Sequence, residues 1–80
     1  YLEKVYPNPT DNNLVLQFRD GAQNEIWQIE IINTNGAILK TFNKPLTYQT
    51  QIFTADLSPG VYIVRVASTR GMEVKKFIKL

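Results

Sequence analysis

Apolar and polar residues alternate along most of this chain with a period of two. Such alternation is typical of β-strands with one face in a core, because successive side chains of a strand point to opposite faces. It is clearest in three segments, whose in-phase apolar residues are Leu14, Leu16 and Phe18; Trp27, Ile29 and Ile31; and Tyr62, Val64 and Val66. Helix signals are missing. The pattern therefore predicts an all-β chain.

Turn-forming residues separate the apolar segments. A glycine follows Asp20, Asn35 and Arg70, and glycine adopts the positive φ of a tight turn without steric cost. Residues 33–36, which lie between two apolar runs, are a strong hairpin signal. We therefore expect seven strands, near residues 2–6, 14–18, 26–32, 37–43, 49–54, 61–68 and 72–79.

Seven short strands without a helix predict an immunoglobulin-like antiparallel β-sandwich, in which two sheets enclose one core. The 80 residues suit a single domain, residues 1–80. Cysteine is absent, so the fold depends on apolar packing without disulfides. The period-two phase assigns the core to Leu16, Phe18, Trp27, Ile29, Ile31, Tyr62, Val64 and Val66. The order of the strands within the sheets is not readable from the pattern.

The net charge is only +2, but the basic residues concentrate at the end of the chain. Five of the nine lie in the last sixteen positions, where Glu73 is the only acid: Arg65, Arg70, Lys75, Lys76 and Lys79. Lysines on a final strand commonly protect a sheet edge from unwanted pairing. Because the net charge is small and Phe77 is the only aromatic residue in this basic strip, a nucleic-acid partner is not expected.

The common catalytic groups are missing. The chain contains no histidine and no cysteine, which excludes the usual general base, the thiol nucleophile and most zinc ligand sets. Ser58 and Ser68 do not lie in a nucleophile elbow, and the seven acids are scattered through turns and solvent-facing positions. Asp11-Asn12-Asn13 lacks the spacing of a calcium loop and is better explained as a turn. We therefore expect no enzymatic activity, no metal and no cofactor.

Sequence features of membrane insertion are also missing. No apolar run reaches the ~18 residues that a membrane helix needs, so a direct membrane span is not expected. No signal peptide begins at Tyr1. We therefore expect an exported form of the protein to carry its signal on a preceding segment.

Three aromatic residues are candidates for a platform that stacks on sugars: Trp27, Tyr48 and Phe53. Trp27 is in phase with Ile29, so burial in the core is the simpler interpretation for it, whereas Tyr48 stays open. Tyr62 follows the turn Pro59-Gly60 at the start of the sixth expected strand. We expect its ring to pack inward and its hydroxyl to bond the backbone a few residues upstream, as in the tyrosine corner of β-sandwiches.

Three sequence landmarks follow one another along the chain. They are Tyr6-Pro7-Asn8-Pro9, Leu57-Ser58-Pro59-Gly60-Val61-Tyr62, and Gly71 followed by Lys75-Lys76-Phe77-Ile78-Lys79-Leu80. Together they strongly resemble the C-terminal sorting domain, type A, of the bacterial type IX (Por) secretion system, and the resemblance covers essentially the whole chain. Residues 29–36 also resemble the family's apolar strand and turn glycine, with Ile32 where the family often carries an aromatic residue.

The resemblance implies a non-catalytic export address. Domains of this family end larger secreted proteins, direct them from the periplasm across the outer membrane of a Gram-negative bacterium, and are generally removed by a sortase. The cargo then stays on the cell surface or is released. The implied partners are the type IX translocon, an outer-membrane shuttle, the sortase and a cargo domain N-terminal to the chain. Because no linker precedes Tyr1, we expect the chain to be the excised tail of such a protein.

The last hairpin carries the candidate recognition residues. We expect Gly60, Tyr62 and Gly71 to shape it, and three lysines to present its charged face: Lys75, Lys76 and Lys79. An exposed edge strand is recognised when a partner adds a strand to it, and the same edge would pair two copies of the chain.

The alternation assigns the faces of this last strand in two conflicting ways. Phe77 shares one side with Lys75 and Lys79, whereas the other apolar residues share the opposite side with Lys76. Those residues are Val74, Ile78 and Leu80. We expect a β-bulge near the lysine pair to reconcile the two phases.

A different class of function also fits a small β-sandwich. A carbohydrate-binding or fibronectin-like spacer module of a secreted enzyme would present a solvent-facing aromatic platform and act wherever it is placed. A sorting domain would instead depend on a free C-terminal end.

Overall fold

The computed structural model describes residues 2–18, 26–45, 49–69 and 71–80, and these residues form seven β-strands. The strands are β1 (Leu2–Tyr6), β2 (Asn13–Phe18), β3 (Ile26–Asn33), β4 (Ile38–Pro45), β5 (Gln49–Phe53), β6 (Gly60–Ser68) and β7 (Gly71–Lys79). Each begins and ends within two residues of the strand expected from the alternation. The predicted turn at Asp20-Gly21, and Arg70 of the last turn, lie outside the described residues.

The strands form two antiparallel sheets that pack as a β-sandwich, which confirms the predicted fold class. One sheet has the order β1-β2-β5 and the other has the order β4-β3-β6-β7. In the constant-type immunoglobulin arrangement the fourth strand lies beside the fifth, whereas here β4 pairs with β3. The edges of the sandwich are therefore β1 and β5 in the first sheet and β4 and β7 in the second.

The core lies between the two sheets. All eight residues that the period-two phase assigned to it are buried, which confirms that prediction. Four further residues complete it: Leu2, Leu14, Ile52 and Phe77. Phe18 of β2 and Trp27 of β3 contact each other across the two sheets, with their ring centroids 6.3 Å apart. Trp27 is fully buried, as its phase with Ile29 predicts.

Polar contacts join the two sheets along both open sides of the sandwich. On the β4–β5 side, Lys40 Nζ donates to the Phe53 carbonyl (2.8 Å) and to Asp56 Oδ1 (2.7 Å). The hydrogen bond from Lys40 holds the pKa of the Asp56 carboxyl below its ordinary value. On the β1–β7 side, the Leu2 amide donates to Glu73 Oε2 (2.6 Å). These contacts keep the edge strands of the two sheets alongside one another.

The predicted hairpin at residues 33–36 joins β3 to β4. Asn33 Oδ1 accepts hydrogen bonds from the amides of Asn35 (3.0 Å) and Ala37 (2.9 Å). Gly36 has a φ of +85°, in the left-handed region that favours glycine. The side-chain hydrogen bonds of asparagine and the freedom of glycine are the two properties on which the sequence signal rests.

Replacing Trp27 with alanine is expected to lower the free energy of unfolding by ~3–5 kcal/mol, because the lost indole leaves a cavity in the core. Urea denaturation measures the change. Met72→Ala serves as the control, because Met72 is 61% exposed and its truncation removes little buried surface. Its expected effect is below ~0.5 kcal/mol. Equal denaturation midpoints for Trp27→Ala and the parent chain would contradict the core assignment.

Candidate functional site

The last two strands form a long, regular hairpin at the edge of the four-stranded sheet. β6 pairs with β7 without a register shift, from Gly60 opposite Lys79 to Ser68 opposite Gly71. The expectation of a bulge near the lysine pair is therefore wrong. Because the ladder is continuous, the odd-numbered side chains of β7 all lie on one face and the even-numbered side chains on the other.

Phe77 determines which face of β7 points inward. Its ring is fully buried and stacks on the ring of Tyr62, with centroids 5.6 Å apart and planes inclined by 22°. The facing sheet covers an edge strand only in part, so the inward face is deep at Phe77 but open to solvent at Lys75. The opposite face is exposed, and Val74 there is 55% accessible.

The three candidate lysines do not share one face. Lys75 is exposed on the inward side of β7, Lys76 is exposed on the outward side, and Lys79 is only 7% exposed. The Lys79 ammonium donates to the Leu80 carbonyl (2.7 Å). The expectation of a single charged face is therefore wrong, because an unbroken strand sends adjacent side chains to opposite sides.

Tyr62 secures the corner that precedes β6, as its sequence context predicts. Its ring is buried, and its hydroxyl donates to the Ser58 carbonyl over 2.5 Å. Gly60 and Gly71, at the starts of β6 and β7, have φ values of +155° and +139°. Side chains rarely adopt such values, so these two positions require glycine for the conformation of the backbone. All three residues lie at the ends of the hairpin.

Residues 8–10 form a strap across the outer edge of β7, a contact that the sequence analysis did not predict. The Thr10 amide donates to the Ile78 carbonyl (2.7 Å), and the Leu80 amide donates to the Thr10 carbonyl (2.9 Å). Asn8 Oδ1 accepts a hydrogen bond from the Ile78 amide (2.9 Å), across 70 positions of sequence. The first sequence landmark therefore lies directly against the last.

A groove of about 420 Å³ lies between β1 and β7. The strap lies at one end of it, and the hydrogen bond from Leu2 to Glu73 lies at the other. The groove is lined by Lys4, Val5, Tyr6, Asn8, Lys75 and Lys76. Among these lining residues there are three cations and no acid. The groove thus combines the edges of both sheets with a local excess of positive charge.

Only part of the basic strip faces solvent without a partner. Arg65 Nε donates to Glu30 Oε1 on β3 (2.7 Å), and Glu30 is buried beneath it. Lys79 is buried as well, and Arg70 lies outside the described residues. Lys75 and Lys76, by contrast, are exposed and form no hydrogen bond or salt bridge through their side chains with any residue that the structure describes, and the positive charge of Lys75 acts on the carboxylate of Glu73.

Exposed apolar side chains cover the outer face of the hairpin. Val61 and Ile63 project from β6, and Val61 lies opposite the exposed Ile78 of β7. Neither residue was among the recognition candidates expected from the sequence. The sequence does contain a signal for them: apolar residues occupy the odd-numbered as well as the even-numbered positions of β6, so both of its faces are largely apolar.

The segment Asp11-Asn12-Asn13 is held by backbone hydrogen bonds. The Asn12 carbonyl accepts a bond from the Thr54 amide (2.8 Å), and Thr10 Oγ1 donates to the Asn13 carbonyl (2.6 Å). In the described part of the chain, no three acidic, histidine or cysteine side chains gather as metal ligands. Within the same residues, no helix has the length and hydropathy needed to cross a membrane.

A β-sandwich whose last strand is an exposed, basic edge has the features of a protein-recognition module. The sequence profile of the secretion system C-terminal sorting domain family matches residues 4–80. No curated protein sequence matches the chain. The chain belongs to the family of secretion system C-terminal sorting domains, which confirms the resemblance to the type IX domain. It is therefore a C-terminal sorting signal for type IX secretion, from a family that is in general non-catalytic.

Removing the hydroxyl of Tyr62 is expected to destabilise the corner before β6. Tyr62→Phe loses one partly buried hydrogen bond, which is expected to lower the free energy of unfolding by ~0.5–1.5 kcal/mol. Tyr6→Phe is the matched control, because the bond that the Tyr6 hydroxyl accepts from Gln49 Nε2 (2.8 Å) is exposed to solvent. The two variants are compared by urea denaturation. If Tyr62→Phe unfolds at the same midpoint as Tyr6→Phe, the corner does not depend on this bond.

Proposed function

We propose that residues 1–80 form one sorting domain at the end of a larger exported protein, and that the type IX machinery recognises it at the β6–β7 hairpin. The observation that carries the proposal is the edge position of β7, with Lys75 and Lys76 exposed on it. Neither ammonium group forms a salt bridge with another described residue. They are therefore available to a partner.

The six candidate recognition residues divide into two roles. Lys75 and Lys76 contact the partner, because they are the exposed ones. Gly60, Gly71 and Tyr62 hold the ends of the hairpin, so that β7 presents its edge in one position. Lys79 also supports the strand from within, because its ammonium bonds the Leu80 carbonyl.

The partners follow the route of export. The outer-membrane shuttle and the translocon bind the hairpin as the protein passes from the periplasm across the outer membrane. A sortase then cuts between the cargo and β1, and the cargo stays on the cell surface or is released. The position of β1 supports this cleavage site: Leu2 is buried and its amide is bonded to Glu73, so the backbone from β1 onward is protected from a protease.

The accessory-module alternative depends on an exposed aromatic platform. Trp27 is fully buried and supplies no part of one. Phe53 is exposed, but Lys40 Nζ lies 5.6 Å from its ring centroid, and Tyr48 lies outside the described residues. No described contact favours this alternative. Micromolar binding of a soluble oligosaccharide in a calorimetric titration would favour it.

The candidate lysines are expected to differ in their contribution to stability. Lys75→Glu and Lys76→Glu are each expected to change the free energy of unfolding by less than ~0.5 kcal/mol, because both side chains are exposed. Lys79→Glu is expected to cost ~1–3 kcal/mol, because it places an acid in a buried position and removes the bond to Leu80. Urea midpoints of the three variants test this order. Equal midpoints would contradict the burial of Lys79.

Truncation is a poor test of recognition in this domain. Deleting the last six residues would remove Phe77 from the core, and losing a buried phenylalanine costs about 3–5 kcal/mol. A marginally stable domain would then unfold, whether or not the removed segment is recognised. Substitution of the exposed lysines separates export from stability.

Export is expected to require Lys75 and Lys76. A reporter with a signal peptide is fused to the domain in a cell with an active type IX system, and its position is measured by fractionation and surface proteolysis. With Lys75→Glu and Lys76→Glu combined, we expect folded reporter to stay in the periplasm. A control variant with acids added elsewhere carries Asn43→Glu and Gln51→Glu, two exposed positions away from the hairpin, and is expected to reach the surface. Surface delivery of the lysine variant at the level of the parent chain would contradict the proposed site.

A further inference from the structure

The outer edge of β7 presents backbone groups that nothing in the described chain uses. In an antiparallel ladder, residues alternate between those whose N–H and C=O point to the partner strand and those whose groups point away. Both groups of Ile78 bond to the strap, so the even-numbered residues of β7 point away from β6. For Met72, Val74 and Lys76, these outward groups have no hydrogen-bond partner among the described residues. This edge is about 15 Å long.

The chain itself shows that the edge can pair with an added segment. Thr10 forms a parallel bridge with Lys79, in which one amide and one carbonyl of the strap bond to β7. The strap stops at Asn8, and beyond it the groove opens between β1 and β7. The strap begins a pairing with the outer edge of β7. A second extended segment in the groove would continue that pairing along Met72–Lys76.

The positive charge of the groove indicates which side chains an added segment would carry. Lys4, Lys75 and Lys76 line it, and its described lining contains no acidic side chain. The carboxylate of Glu73, on the same face of β7 as Lys75, accepts a hydrogen bond from the Leu2 amide. Acidic side chains on an added strand would meet these ammonium groups, whereas basic ones would be repelled. Val5 and Tyr6 supply the apolar part of the lining.

We propose that the groove between β1 and β7 binds an extended acidic segment of a partner protein, which adds to β7 as a further strand along Met72–Lys76. Backbone hydrogen bonds to the even-numbered residues supply affinity, and the three lysines supply selectivity for acids. The inference rests on the proposed function in that it names the chemistry of the partner at Lys75 and Lys76. It adds Lys4 of β1 and the backbone of β7 to the site.

A second copy of the chain fits this edge less well. Glu73 is the only acid on β7 and already accepts a bond from the Leu2 amide, so a second β7 strand offers the three lysines of the groove fewer acids than a segment with several acidic side chains. A single-stranded nucleic acid would need several stacking surfaces, and among the described residues that line the groove Tyr6 alone is aromatic.

The test measures binding of a fluorescent peptide of about seven alternating glutamate and valine residues to the 80-residue chain. Three further probes isolate each cause: the same peptide with glutamine for glutamate, the same peptide N-methylated at alternate amides, and vesicles of anionic lipid. We expect the glutamine and N-methylated peptides to bind about tenfold more weakly, the former from lost charge and the latter from lost strand pairing. Amide exchange at Val74 and Lys76 is expected to slow when the glutamate peptide binds.

Two protein variants locate the site. Val74→Pro removes an outward amide without breaking the ladder to β6, because proline is tolerated at an edge whose N–H faces away from the sheet. Val74→Thr retains the amide and is its control. Lys75→Gln with Lys76→Gln removes two charges, and Asn43→Glu with Gln51→Glu makes an equal change of net charge elsewhere. We expect affinity for the glutamate peptide to fall about tenfold in Val74→Pro and in the lysine double variant. In the two controls, we expect it to fall less than twofold.

Equal binding of the glutamate and N-methylated peptides would overturn strand addition, and this comparison uses the parent chain, so it holds even if Val74→Pro fails to fold. Equal binding of the glutamine peptide, or tighter binding to the vesicles, would overturn the acidic protein segment. The export assay fails separately. Normal export of the Lys75→Glu, Lys76→Glu variant, together with tight binding of the glutamate peptide by the parent chain, would reject the export role alone. Retention of that variant in the periplasm, together with no binding of the glutamate peptide by the parent chain, would reject the groove alone.

Discussion

The stacking of Phe77 on Tyr62 is the constraint on which the rest of the hairpin depends. This contact determines which face of β7 points inward. Because the register with β6 is unbroken, it also determines the direction of every other side chain on that strand. Tyr62 is in turn held by its bond to Ser58, so the turn before β6 and the middle of β7 are fixed by one pair of rings and one hydroxyl. Burial of a phenylalanine contributes about 1.5–3 kcal/mol, far more than any exposed lysine contributes to folding.

This constraint separates the residues that hold the fold from those that can meet a partner. Lys79 follows Phe77 to the inside and becomes part of the structure, whereas Lys75 and Lys76 stay in solvent on opposite sides of the strand. Under the proposed recognition at the β6–β7 hairpin, a partner would bind charges that contribute little to stability. The signal would then be presented only by a folded domain, since β7 exists as an edge only when β6 and the core are in place.

The same edge is both protected and left open. The strap covers the end of β7 at Ile78 and Leu80, and the lysines discourage uncontrolled pairing along the remainder. The residues that could be named from the sequence as candidates for recognition, Lys75 and Lys76, lie in the groove, but Lys4 was not among them. Lys4 lies in the groove because β1 of one sheet runs alongside β7 of the other, and no local sequence pattern predicts that neighbourhood.

The sequence alone determined the seven strands, the eight predicted core residues, the hairpin at residues 33–36 and the corner at Tyr62. Each of these depends on contacts within a strand or a turn, where periods of two and the properties of glycine, asparagine and proline act locally. Only the tertiary structure decided the sheet order, the inward face of β7, the burial of Lys79 and the contact between Asn8 and Ile78. Those features depend on which strands become neighbours across the sandwich. An alternating pattern shows which side chains share a face of a strand. How deeply each of those side chains is buried depends on the sheet that packs against that face.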